Sequence, residues 1–264
     1  MKVSKCFKRK ILNPCNLEMY NYQMDPYIGC EHFCNYCYAL NEAETDWEKE
    51  IMIHEEFIER LSQALSKIEP QTIYIGVDTD PYQPSESSFK QTGKLLELFE
   101  KRGFSVCILT KSGLVTRDID LYTKMPASSV GISIAFQNEQ TRNLFEKSAP
   151  PNKERIEALE KLKKVGIDTY TLISPVMPFI TDVESLIEAV VPFSNTIWIY
   201  RLQIESEESP NWYNIQSILN RHFPDLTEQY REIAFSEDHP FWLELRQQLK
   251  EIQSKKDLNL KIEL

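Results

Sequence analysis

No stretch of this 264-residue sequence is both long and apolar enough to cross a membrane. Met1–Lys10 carries Lys2, Lys5, Lys8, Arg9 and Lys10 with no apolar run behind them, so it does not read as a secretory signal. A soluble, cytoplasmic protein is the expectation. Positive charge is also scarce. Thirty Lys and Arg stand against 40 Asp and Glu, a formal net charge of −10. Duplex binders draw much of their affinity from phosphate contacts, so this balance argues against a dedicated duplex-binding surface but leaves room for one basic patch. The first ten residues are the clearest basic run, read either as a solvated tail or as a phosphate-binding arm. Internal repeats and low-complexity tracts are lacking. There are six cysteines, and in a reducing compartment they read as metal ligands or free thiols rather than disulfides.

Three of those cysteines stand together. Met24–Leu40 contains Cys30, Cys34 and Cys37 in the spacing C-x3-C-x2-C. Three thiolates in one short loop can hold three irons of a cubane cluster and leave the fourth open to a cofactor or substrate. Two plainer readings compete. Spacing i, i+4, i+7 would line one face of a helix, but Pro26 and Gly29 favour a turn. Zinc would need a fourth ligand; His32 could supply it, but it lies inside the same loop, where the geometry is poor.

The rest of the chain alternates. Apolar periodicity predicts helices over Glu55–Ile68, from Ser85 or Ser87 to about Lys101, over Arg117–Lys124, Lys153–Val165 and Val183–Val191. Strands are predicted to end the run at Tyr27 and to cover Thr72–Val77, Phe104–Leu109, Ser129–Ala135, Asp168–Ser174 and Thr196–Leu202. Six βα units predict an α/β fold, a partial (β/α)6 TIM-like barrel. Residues 1–23 read as an irregular lead-in and 24–203 as the barrel. Residues 204–264 read as a mostly helical C-terminal extension, with Leu258–Ile262 alternating like a last edge strand. In such barrels active groups gather at the C-terminal ends of the strands.

The cysteine spacing, with aromatic Tyr36 before the last cysteine, resembles the radical S-adenosylmethionine (SAM) signature. Asp25-Pro26-Tyr27, Gly29-Cys30-Glu31-His32 and Tyr36-Cys37-Tyr38-Ala39 are similar to the branch that contains spore photoproduct lyase and repair-photolyase-like proteins. The resemblance implies a [4Fe–4S] cluster on Cys30, Cys34 and Cys37, with SAM on the open iron. It implies reductive cleavage of SAM to a 5′-deoxyadenosyl radical that takes a hydrogen atom from a substrate. An external electron donor of flavodoxin or ferredoxin type is implied too. By the same resemblance Tyr36 lies beside the adenine. Gly76, Asp78 and Asp80 stand where the SAM amine is received, although the usual Gly-Gly-Glu-like run is replaced. Lys111 and Ser133 match a lysine and a following serine at the SAM carboxylate, and Pro175 stands where backbone contacts the adenine.

One departure bears on the substrate. Spore photoproduct lyase returns a hydrogen atom from a further cysteine, and here no cysteine lies between Cys37 and Cys107. Cys107 reads as a core residue, about 13 Å below Lys111 by strand rise. Nucleic acid, a peptide and a small molecule all stay open as substrates. A non-catalytic iron–sulfur or zinc module that binds a partner is the alternative from another class. Arg117, Arg155, Arg201, Glu205, Tyr82 and Tyr200 are candidates for the cavity wall; the charged ones also read as solvated or paired surface groups, the tyrosines as packed residues.

Overall fold

The computed structural model describes residues 1–7 and 9–264; Lys8 of the basic N-terminal run lies outside them. In chain order the strands are β1 (Lys2–Cys6), β2 (Asn13–Pro14), β3 (Tyr22–Met24), β4 (Tyr27–Ile28), β5 (Glu50–His54), β6 (Thr72–Ile75), β7 (Ser105–Thr110), β8 (Ser129–Ser133), β9 (Asp168–Val176), β10 (Thr196–Arg201) and β11 (Leu260–Glu263). One sheet has the order β11-β10-β9-β8-β7-β6-β3-β2. From β3 through β11 every neighbour in it is parallel, and β2 closes the far edge antiparallel to β3. Six successive parallel strands, β3, β6, β7, β8, β9 and β10, make the partial (β/α)6 barrel. Its two outer strands are not paired with each other, so it stays open on one side.

The two faces of that sheet differ. Ile73, Ile75, Val106, Ile108, Val130, Ile132, Ile197 and Ile199 are fully buried against Leu95, Leu96, Phe99, Leu159 and Leu162 of the outer helices. Burying each such side chain stabilises the fold by roughly 1.5–3 kcal/mol. Alternate residues point the other way. Tyr74, Leu109, Tyr170, Leu172, Trp198 and Tyr200 are only half-buried, which marks an inner face open to solvent. Tyr170 lies flat across Gly131, where a Cβ would come within 2.1 Å of the ring. Its hydroxyl donates to the Ile108 carbonyl at 3.1 Å. Tyr170 thus forms a floor across the barrel, with Cys107 beneath it at 3.4 Å from Sγ to hydroxyl.

Several sequence expectations need correction. The lead-in is not irregular: β1 pairs in parallel with β5, which pairs with β4, in a separate three-stranded sheet. The signal was weak because β1 is short and exposed and its partner begins at Glu50. The helix predicted from Ser85 or Ser87 is two helices, Glu86–Phe89 and Gln91–Arg102, broken at Lys90 with φ +53°. Neither serine caps the longer one; Glu86 accepts from Thr92 N and Gly93 N at 3.0 and 3.1 Å. An unpredicted helix, Glu139–Phe145, is capped by Asn138, whose Oδ1 accepts from Gln140 N and Thr141 N. The C-terminal part carries helices Pro210–His222, Thr227–Ala234 and Pro240–Lys256 before β11. Among the described residues no helix is long and apolar enough to cross a membrane.

Candidate active site

The three clustered cysteines follow β4 in a loop that is tied down on both flanks. On one flank Glu31 N donates to Gln83 Oε1 at 2.9 Å and Ser85 N to Glu31 Oε2 at 2.6 Å. Those partners belong to the loop after β6. On the other flank Asn35 N donates to the Phe145 carbonyl at 2.9 Å and Asn35 Nδ2 to the Leu144 carbonyl at 3.1 Å. Asn211 Nδ2, on the cover helix, reaches the Tyr36 carbonyl at 3.3 Å. Backbone groups withdrawn from water are thereby satisfied, and the loop is fixed between β6, β8 and the C-terminal helices.

Cys34 is buried, Cys30 and Cys37 are half-buried, and all three are free thiols. Burial pushes each thiol up: Cys34 to about 12, Cys30 well above its ordinary value with Asp80 adding to the effect, Cys37 upward despite Lys111. A metal centre supplies the positive charge that thiolates need. Among the described residues no group of three His, Cys, Asp or Glu side chains is gathered closely enough to hold one metal ion. A cube asks less, because each of three irons takes one thiolate. His32, considered as a fourth ligand, is buried and turned to Asp80, with Nε2 3.1 Å from Oδ2 but off the hydrogen-bond axis. The donor set fits a [4Fe–4S] cluster with an open corner.

Asp80 is a strut. Its Oδ1 accepts from Tyr82 N at 2.8 Å and Thr110 Oγ1 at 2.5 Å, and Oδ2 accepts from Lys111 N at 2.7 Å. Burial alone would raise its pKa, but the His32 ring, the Lys111 amide and the Thr110 hydroxyl outweigh burial and hold it at about 2. Its acceptor positions therefore join the β6 loop to the end of β7. Asp78 is half-buried and raised by burial, with Arg9 at 4.0 Å. The amides of Val77 and Asp78 both donate to Asp25, at 2.9 and 3.1 Å. Gly76 has φ +95°, and a Cβ there would lie 2.5 Å from the Leu109 carbonyl, so only glycine lets these strands approach.

Tyr36 and Lys111 come together beside Cys34. The Lys111 ammonium lies 5.8 Å from the Tyr36 ring centroid, within cation–π range. Burial lowers its pKa, but the Cys34 sulfur, Glu146 and Asp80 more than offset that, and the net shift is upward. Ser133 is buried at the end of β8, in register with Leu172, which is in register with Trp198. The Tyr36 hydroxyl donates to Glu146, which meets Arg155 at 2.5 Å with neither side chain exposed. Arg155 Nη1 donates to the Ser133 carbonyl at 3.0 Å. Pro175 is buried within β9 after a cis Ser174–Pro175 bond.

Glu146 was not legible beforehand; its one signal is a carboxylate nine residues before Arg155 across a helix start, which no motif marks. The other cavity candidates separate. Arg155 is wholly internal. Arg117 pairs with Glu86 and Asp118, and Tyr82 is buried on Asp118 and Tyr122, away from the inner face. Arg201 pairs with Glu237 and Glu205 is exposed. Tyr200 is on the inner face, stacked on Trp198 with centroids 6.2 Å apart at 20°. Cys6 lies on β1 and Cys15 beside β2, both free.

Comparison with known proteins adds the family. The Radical SAM superfamily model matches residues 24–190. An uncharacterised protein of Methanocaldococcus jannaschii is 31% identical over 229 residues, 85% of each chain. Spore photoproduct lyase with bound AdoMet and dinucleoside spore photoproduct superposes with a TM-score of 0.60 at 13% identity, over 88% of this chain and 79% of that one. Streptococcus suis SuiB bound to precursor peptide SuiA gives 0.61 at 12% identity, over 92% of this chain and 48% of its own.

Proposed function

This chain belongs to the radical SAM superfamily, and from that membership and the site's geometry we propose that it performs SAM-dependent hydrogen abstraction on a nucleic-acid component. The family's [4Fe–4S] cluster and SAM, when bound, supply a 5′-deoxyadenosyl radical. Cys30, Cys34 and Cys37 would hold the cluster. Lys111 presents a fixed cation for the SAM carboxylate. Tyr36 offers a ring beside the adenine, with Pro175 and Ser133 on the opposite strands. The Gly76 backbone and Asp78 are the acceptors for the amine; Asp80 positions Lys111 through its amide. Trp212 and the helices after Ser209 cover the cysteine loop and keep water from it.

The observation that carries the reading is one short loop of three free thiols with the half-buried Lys111, from the end of parallel strand β7, beside it. For the substrate, the open inner face bears stacked Trp198 and Tyr200 above the Tyr170 floor, surfaces suited to a planar base. An electron donor of flavodoxin or ferredoxin type is part of the proposal. The test is anaerobic reconstitution with iron and sulfide, then SAM and dithionite, with 5′-deoxyadenosine measured. Single-stranded oligothymidylate should stimulate its release, and binding should weaken with salt. Release stimulated by peptides and not by oligonucleotides would move the reading to peptide modification. Zinc without iron after anaerobic purification would end it in favour of a non-catalytic module.

A further inference from the structure

Beside the cysteine loop sits a buried ion pair without an assigned task. Glu146 and Arg155 have no exposed side-chain surface and meet at 2.5 Å. Such a pair adds little net stability, because losing water offsets the attraction, and apolar residues of similar volume often serve as well. What distinguishes this one is its connections. Tyr36, between Cys34 and Cys37, donates a hydrogen bond from its hydroxyl to Glu146 Oε1. Arg155 donates from Nη1 to the Ser133 carbonyl at 3.0 Å and from Nε to the Pro150 carbonyl at 2.9 Å. One carboxylate therefore links the cysteine loop to the end of β8. The Tyr36 ring is held at its hydroxyl by Glu146, with the Lys111 ammonium 5.8 Å from its centroid. Phe136 packs at 6.2 Å. Glu146 also sets one negative charge between two cations, where solvent screens little.

We propose that Glu146 is a positioning residue of the cluster–SAM site, fixing the plane of Tyr36 and lowering the cluster's reduction potential through its buried charge. The inference rests on the reading of Cys30, Cys34 and Cys37 as cluster ligands. Two variants of the full chain, reconstituted anaerobically, separate its halves. Glu146→Gln keeps a hydrogen-bond acceptor for Tyr36 and removes the charge. Its midpoint potential, followed by electron paramagnetic resonance, should move positive, because an added electron no longer faces that anion. Glu146→Asp keeps the charge and the Arg155 pair but draws the oxygen back by one methylene. Its potential should stay near the parent's, while its dissociation constant for SAM rises about tenfold. Tyr36→Phe should match Glu146→Asp. An unmoved potential in Glu146→Gln, or unchanged SAM affinity in both Glu146→Asp and Tyr36→Phe, overturns the proposal with the cluster reading intact. A parent protein that assembles no four-iron cluster overturns both. Should Glu146→Gln fail to fold, unchanged SAM affinity in both Glu146→Asp and Tyr36→Phe still overturns the positioning role on which the proposal stands.

Discussion

Two buried carboxylates flank the cysteine loop and are built differently. Asp80 receives donors that are mostly neutral: the amides of Tyr82 and Lys111 and the Thr110 hydroxyl, with the His32 ring beside it. Glu146 is matched by a full charge, Arg155, and by one phenol. Both are held below the usual carboxylate range against the penalty of burial. Asp80 does so through the His32 ring beside it together with the Lys111 amide and the Thr110 hydroxyl, Glu146 through an ion pair. A carboxylate that accepts from amides can be spared with the loss of a few hydrogen bonds. One that neutralises a buried arginine cannot be removed without stranding that arginine.

The comparison can be broken in order of effect. The loop between the two carboxylates is the largest test: Cys30→Ala should abolish four-iron assembly and 5′-deoxyadenosine release, read by iron analysis and chromatography. Retention of both would remove the premise of either flank's importance. Glu146→Gln should lower unfolding free energy by about 3–5 kcal/mol in urea, because it leaves Arg155 buried and unpaired. Asp80→Asn should show a smaller effect with a pH signature. A depressed carboxylate stabilises the fold above its unfolded pKa and loses that contribution as pH falls through the folded one. A pKa held at about 2 corresponds to roughly 2–3 kcal/mol, lost progressively between about pH 5 and pH 1. The variant should be flatter than the parent in that window when melting is followed by circular dichroism. An exposed pair sets the baseline. Glu188 lies 3.0 Å from Lys256 on the surface, and Lys256→Ala should change stability by less than about 1 kcal/mol. An effect as large as that of Glu146→Gln would erase the distinction.

Much of the site was legible because its signals are local. The cysteine spacing, Tyr36 within it and Gly29 before it lie in one short loop. Strands rich in Val, Ile and Thr mark the barrel because both their faces are covered in part. What failed depended on distant partners. β1 becomes a strand only because Ile51 and its neighbours lie beside it. The break at Lys90 arises because Glu86, and not a serine, satisfies the first amides of the next helix. Arg155 read as a surface group because a charged side chain on an amphipathic helix is ordinarily solvated; only packing shows that it shares the buried face with Ala158, Leu159 and Leu162 and meets Glu146.

Local chemistry in the chain determined that three thiols would share a loop, that β and α segments would alternate, and that no membrane helix would form. Those outcomes follow from spacing, periodicity and hydropathy within a few residues of each other. The tertiary structure decided which titratable groups surround the thiols. Asp80, Lys111, Glu146 and Arg155 come from separate strand ends and helices, and their charges acquire meaning only when the parallel sheet brings those ends together and excludes water. The field at a buried site is a sum over groups far apart in sequence, and only their burial and distances fix it.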